Sequence, residues 1–163
     1  MPDMTVPEIK RVNLSSTILT LKSLEIMDVL DFDYLDRPDP QSIHYALKQL
    51  YLLSAISNDG SLLPLGVELS MFPLEPCFGV SLLASHFLGC DRDLSALVSI
   101  LSSENVWLAH SRQDNVGEEQ LVDIRRRFGR NTDEKSDHML LVNMFNEWMA
   151  KHHDNNWCWK NRL

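Results

Sequence analysis

The run Asp36-Arg37-Pro38-Asp39-Pro40 constrains this chain more than any other stretch. Each proline lacks a backbone donor and pushes its predecessor out of the helical region, so no helix passes through the run. It also prescribes the start of a new helix: Asp39 is placed to cap it, with Pro40 at the first position, where a missing N–H is harmless. Downstream, Ile43, Ala46, Leu47, Leu50 and Leu53 share one helical face and predict a helix to about Leu53.

Ahead of the prolines, Asn13 is predicted to cap a first helix carrying Leu14, Ile18 and Leu21, with a second short helical piece over Glu25 to Leu30. Behind them, Ala55-Ile56-Ser57 and Ser61-Leu62-Leu63 flank Asn58-Asp59-Gly60, where Asp-Gly supplies the positive backbone angles of a tight hairpin turn. A short helix over Leu65 to Met71 ends at Phe72-Pro73. Helices with a small β-hairpin after them predict a winged helix.

The second half restarts at Pro76. Residues Cys77 to Leu88 are apolar on nearly every side, which predicts the central helix of a bundle, closed by Gly89. Asp91 is expected to cap the next helix, striped by Leu94, Leu97, Val98 and Leu101. Ser102 to Gly117 reads as loop, and Glu118 to Phe128 as helix through Leu121, Ile124 and Phe128. Ser136 or Asp137 is expected to cap a long helix carrying Leu141, Met144, Phe145 and Trp148, fraying at Lys151-His152-His153. Asn156 to Leu163 reads as the opening of a helix that continues beyond the last residue.

With 163 residues and 44% hydrophobic content, the chain can bury a true core. Its apolar runs fall short of the roughly 20 residues a spanning helix needs, and its start lacks a basic-then-apolar leader. An intracellular protein without membrane contact is therefore expected. Cys77, Cys90 and Cys158 form neither an even set nor a CxxC pair, which predicts buried free thiols rather than a disulfide framework or zinc knuckle. A net charge of −8 argues against a free-standing nucleic-acid binder, so any RNA contact is local or shared with other parts.

Catalytic chemistry is missing from the pattern. No glycine precedes a lysine, so a phosphate-cradling loop of the GxxxxGK[ST] kind is excluded. Asp133-Glu134-Lys135-Ser136 reads as a polar loop rather than a magnesium-binding box. Asp137 and His138, ~100° apart on a helix, read as a cap and its neighbour rather than a catalytic pair. His152-His153 with Cys158 has poor ligand spacing, and no metal site is expected. The one basic concentration is Arg125-Arg126-Arg127, with Arg130 and Lys135 after it. Two readings stand: these cations grip a phosphate backbone, or they pair with Glu118, Glu119 and Asp123 along a solvated helix. Trp148, Trp157 and Trp159 likewise serve either to stack bases or, as is commoner at helical spacing, to fill a core.

Val6-Pro7-Glu8-Ile9-Lys10-Arg11, Leu19-Thr20-Leu21-Lys22 and Phe32-Asp33-Tyr34-Leu35-Asp36-Arg37-Pro38 resemble the region directly after the second motor domain of DEAH-box RNA helicases. Ala46-Leu47-Lys48-Gln49-Leu50-Tyr51, Asp59-Gly60, Leu65-Gly66 and Phe72-Pro73-Leu74-Glu75-Pro76 resemble its winged helix and the junction with the next domain. Leu82-Leu83-Ala84-Ser85, Gly89-Cys90, Leu101-Ser102, Ser136-Asp137-His138 and Trp157-Cys158-Trp159-Lys160-Asn161 resemble the helical ratchet domain. Three departures stand out. The family usually has Gly-Asp-His at Ser136-Asp137-His138, Leu-Gly-Ala-Leu at Leu53-Ser54-Ala55-Ile56, and arginine at Val67.

The resemblance implies a mainly α chain: a linker over 1–12, a winged-helix domain over 13–75 and a helical-bundle ratchet domain over 76–163, cut short at its end. It implies an accessory region that braces the motor and helps form a single-stranded RNA channel, inactive alone. ATP and magnesium belong to motor domains elsewhere in such helicases, and no cofactor is expected in this segment. Arg126, Arg130, Lys135, His138 and Asn143 are the implied RNA-binding residues. Implied partners are single-stranded RNA, the RecA-like motor domains and a glycine-patch activator, with a nuclear location favoured over the cytoplasm. The alternative is a module docking an activator or a spliceosomal or ribosomal partner. A DNA-reading winged helix is weaker, because Gln41 to Leu53 offers only Lys48 as a clear cation.

Overall fold

The computed structural model describes residues 6–103, 122, 126–129 and 136–161. A 3-10 turn at Glu8–Lys10 precedes α1 (Ser15–Ser23), α2 (Pro40–Leu52), α3 (Pro64–Ser70), α4 (Pro76–Leu88), α5 (Asp91–Leu101), α6 (Asp137–Ala150) and α7 (Asn155–Lys160). Two compact units divide the chain, one ending at Phe87 and the other starting at Leu88.

In the first unit, local chemistry sets the helix starts. The Asp39 carboxylate accepts from Gln41 N at 3.0 Å with Pro40 at the first helical position, as the sequence predicts. Asn13 Oδ1 accepts from Ser15 N at 2.9 Å, and the Asn13 amide and Ser15 hydroxyl both donate to Gln49 Oε1, tying α1 to α2. Ile18, Ile43, Ala46, Leu50 and Leu69 are almost wholly buried and form the core of α1, α2 and α3.

Glu25 to Leu30 is not helical. Instead Glu25 turns left-handed (φ 65°) and closes α1, with Ile26 N donating to Leu21 O and Glu25 N to Lys22 O. Ser54 ends α2 in the same way: φ is 57°, Ala55 N donates to Leu50 O and Ser54 N to Tyr51 O.

The predicted β-hairpin is also corrected. The turn forms, with Gly60 at φ 81°, and Ser57 N bonds Ser61 O while Leu63 N bonds Ala55 O. Among the described residues the pairing stops at one antiparallel bridge, Ile56 to Leu62. Ala55 is still leaving the closing turn of α2, and Pro64 already opens α3, so no length is left for a ladder. Gly66 packs α3 against this corner; a Cβ there would overlap the Ala55 carbonyl oxygen and lie 2.8 Å from Leu62 Cδ1.

Among the described residues, helix α4 is enclosed on part of its surface only. Its buried residues are Pro76, Gly79 and Ser85, while Phe87 and Leu88 are 87% and 78% exposed. Val80 and Leu83 pack on the first core, and a Cβ on Gly79 would lie 2.6 Å from Leu69 Cδ2. A helix apolar on all sides carries no signal for which side meets a partner.

In the second unit, α5 packs on α6; the buried residues of α5 are Ala96, Val98 and Ile100, and Leu101 of the expected stripe is exposed. Asp91 is the first residue of α5 rather than its cap, and Cys90 precedes it without a capping bond. The expected helix over 118–128 and the loop over 102–117 lie largely outside the described residues; Val122 and residues 126–128 are helical. Ser136 caps α6 by accepting from Met139 N, and Asp154 caps α7 by accepting from Asn156 N at 2.9 Å. Cys77 and Cys90 are exposed and Cys158 is half-buried, which corrects the expectation of buried thiols. No helix among the described residues is long and apolar enough to cross a membrane.

Candidate nucleic-acid interface

The basic run meets α6 and α7 around a small aromatic core. Phe128, Leu140, Met144 and Trp157 are buried together, with Phe128 set edge-on to Trp157 at 6.0 Å between ring centroids. Arg127 crosses this core: its guanidinium lies 5.3 Å from the centre of the Phe128 ring, pairs with the Glu147 carboxylate and donates to Asn161 Oδ1 at 3.4 Å. Glu147 Oε1 also accepts from Trp157 Nε1 at 3.2 Å, and the buried Asn161 amide donates to Trp157 O at 2.7 Å. Arg127 pairs with a glutamate on another helix, and Glu118, Glu119 and Asp123 lie outside the described residues.

The proposed RNA-binding residues separate into three groups. Arg126 and His138 are exposed, the first on helical residues 126–128 and the second in the first turn of α6. Asn143 is half-buried and its amide donates to Phe128 O at 2.9 Å, so that side chain holds the basic segment to α6. Arg130 and Lys135 lie outside the described residues, as do Asp133 and Glu134.

Nothing in the local sequence distinguishes Arg127 from its neighbours. The signal available was the conjunction of an arginine, an aromatic residue and the Trp157-Cys158-Trp159 motif, but the pairing with Glu147 is long-range and leaves no trace in spacing. The tryptophans divide as well: Trp157 fills the core, Trp148 is half-buried beneath His153 at 4.5 Å, and Trp159 is 68% exposed. His152 and His153 both adopt positive φ and close α6, His152 N donating to Met149 O and His153 N to Trp148 O. Among the described residues no three His, Cys, Asp or Glu side chains converge as a metal site.

Among the described residues two titrations are displaced, both in the first unit. The Ser57 hydroxyl and then the Ser61 backbone N–H hold the Asp59 carboxyl below the usual aspartate range. Burial pushes the Tyr34 phenol up, and its hydroxyl donates to Val29 O at 2.9 Å.

Comparison with known proteins places the two halves. The helicase associated domain (HA2) in its winged-helix part matches residues 46–74, and in its ratchet-like part residues 75–141. The chain is 36% identical over 158 residues to the pre-mRNA-splicing factor ATP-dependent RNA helicase prp22 of Schizosaccharomyces pombe, which covers 97% of the chain and 13% of that protein. It is 32% identical over 159 residues to the probable ATP-dependent RNA helicase DHX35 of Homo sapiens, covering 97% of the chain and 22% of that protein. The chain thus spans less than a quarter of the length of either relative.

Proposed function

Because the chain belongs to the helicase-associated region of DEAH-box RNA helicases, we propose that it serves such a motor as a brace and as one wall of a single-stranded RNA channel. The observation that carries this reading is the exposure of Arg126 and His138 on the ratchet-like unit, beside a basic segment clamped in place by Arg127 and Asn143. Fixed cations contact phosphates at a lower entropic cost than mobile ones, and phosphate contact is independent of base sequence. Stacking on the exposed Trp159 ring adds a second sequence-tolerant contact.

ATP binding and hydrolysis belong to RecA-like motor domains outside these residues. In this reading, closure of the motor moves RNA past Arg126, Arg130, Lys135 and His138, and the wall resists backsliding. A nuclear location is inferred from likeness to a protein named as a splicing factor.

The test is RNA-stimulated ATPase and unwinding by the longer polypeptide that carries these residues, with Arg126→Glu and Arg130→Glu. Both changes are expected to raise the RNA concentration needed for half-stimulation about tenfold while leaving ATPase without RNA unchanged. Unaltered RNA stimulation rejects the assignment.

A second reading, docking of a protein partner such as a glycine-patch activator, is favoured by Tyr45, Tyr51 and Leu52 of α2, which are 61%, 50% and 69% exposed. Exposed aromatic residues suit a protein contact. A footprint there is compatible with RNA guidance by the second unit.

A further inference from the structure

Lys22 is an unusual lysine. Its side chain is buried to within 7% of full exclusion, yet its ammonium has no ion pair among the described residues. The protein gives it one acceptor, the Met27 carbonyl at 2.7 Å, against three donors on the nitrogen. A buried charge without an opposite charge is unfavourable, and a fold retains one where something else supplies the partner.

Lys22 lines an open cavity of about 390 Å³ within the first unit, large enough for a small organic ligand. Its walls combine two chemistries. Leu30 and Leu47 offer apolar surface, while Lys48, Tyr51 and Asn58 add donors. Lys48 is exposed and also lacks an ion pair among the described residues.

Two acids share the lining, but each is turned to its own turn. Asp28 Oδ1 accepts from Leu30 N and Asp31 N, and Asp59 Oδ1 accepts from the Ser57 hydroxyl and Ser61 N. The wing turn closes over the lysine, since a Cβ on Gly60 would lie 3.3 Å from Lys22 Nζ.

From this arrangement we propose that the cavity is a binding site for a carboxylate carried on a short apolar stem, with the carboxylate on Lys22 and the stem against Leu30 and Leu47. A chain terminus of a partner polypeptide and a free organic acid share this chemistry. A bare inorganic anion does not, because it leaves the apolar walls uncovered. The site lies on the first unit and is independent of the RNA contact proposed for the second.

The test is amide NMR titration of the 163-residue chain with 4-methylpentanoate, its methyl ester, N-acetyl-leucine and inorganic phosphate. Saturable shifts confined to Lys22, Lys48, Tyr51 and the Ser57 to Gly60 turn are expected for the two acids. The ester, which keeps the stem and loses the charge, is expected to bind at least about tenfold more weakly. Tighter binding of N-acetyl-leucine assigns the site to a polypeptide terminus, and tighter binding of 4-methylpentanoate to a free acid.

Lys22→Met is expected to abolish the shifts, and Lys48→Glu, on an exposed residue that the core does not use, to weaken binding severalfold with the fold intact. Equal affinity for ester and acid, equal affinity for phosphate, or shifts scattered over the surface overturn the proposal. So does unchanged binding to Lys48→Glu.

Discussion

Replacing Ser54 by glycine should stabilise the first unit. Ser54 closes α2 at φ 57°, a conformation that places an L-residue's Cβ against the following carbonyl and costs roughly 1–2 kcal/mol. Glycine removes that strain but gains freedom in the unfolded chain, which returns roughly 0.4–1 kcal/mol. The difference leaves a net stabilisation of about 1 kcal/mol, with both closing hydrogen bonds, Ala55 N to Leu50 O and Ser54 N to Tyr51 O, retained. With a urea dependence of about 1–3 kcal/mol per molar, the midpoint should rise by roughly 0.3–1 M.

Tryptophan fluorescence is blind to this change, because Trp107, Trp148, Trp157 and Trp159 all lie beyond the first unit. The assay is therefore amide exchange in urea, read at Ala46 and Leu50. Ser54→Ala is the control: it deletes the hydroxyl and keeps the Cβ, and should stay within about 0.5 kcal/mol of the parent. Ser54→Gly that fails to gain stability, or Ser54→Ala that gains as much, refutes the backbone argument.

Gly66→Ala should cost about 3 kcal/mol, since its methyl would meet backbone at Ala55 as well as Leu62, and the same exchange experiment reads the loss. In the second unit, Glu147→Ala should cost about 2 kcal/mol against about 1 kcal/mol for Arg127→Met. The ion pair is partly exposed, but the glutamate also holds Trp157 Nε1, so thermal unfolding monitored by tryptophan fluorescence should rank Glu147→Ala as the more damaging. The depressed Asp59 carboxyl contributes stability that is present above the ordinary aspartate range, near pH 4, and is lost as pH falls through its lower folded value. A carbon-detected NMR titration should find that carboxyl titrating below free aspartate, and Ser57→Ala should move it back up.

How much of the fold was legible in the sequence depends on the range of the forces involved. Asp39 and Ser136 were legible as caps because each bond joins residues two or three apart, whereas Leu14, not Asn13, stands at the cap position of α1. The positive angle at Ser54 was also within reach, since the family carries glycine there and the departure marks a strained position. The wing was half legible. Asp59-Gly60 specifies the turn, but ladder length depends on how close Ser54 and Pro64 stand on either side. The orientation of α4 was hidden because uniform hydrophobicity does not choose a face. For the candidate site, the arginine run was visible, yet nothing local marks Arg127 as the partner of Glu147.

Whether the ratchet-like unit touches RNA is tested most directly by photocrosslinking single-stranded RNA to the longer polypeptide that carries this chain and its motor domains, with adducts located by mass spectrometry. Adducts between Arg126 and Asn143 are expected, and their loss in Arg126→Glu. Adducts confined to the motor domains, with none on these residues, contradict RNA contact by this unit.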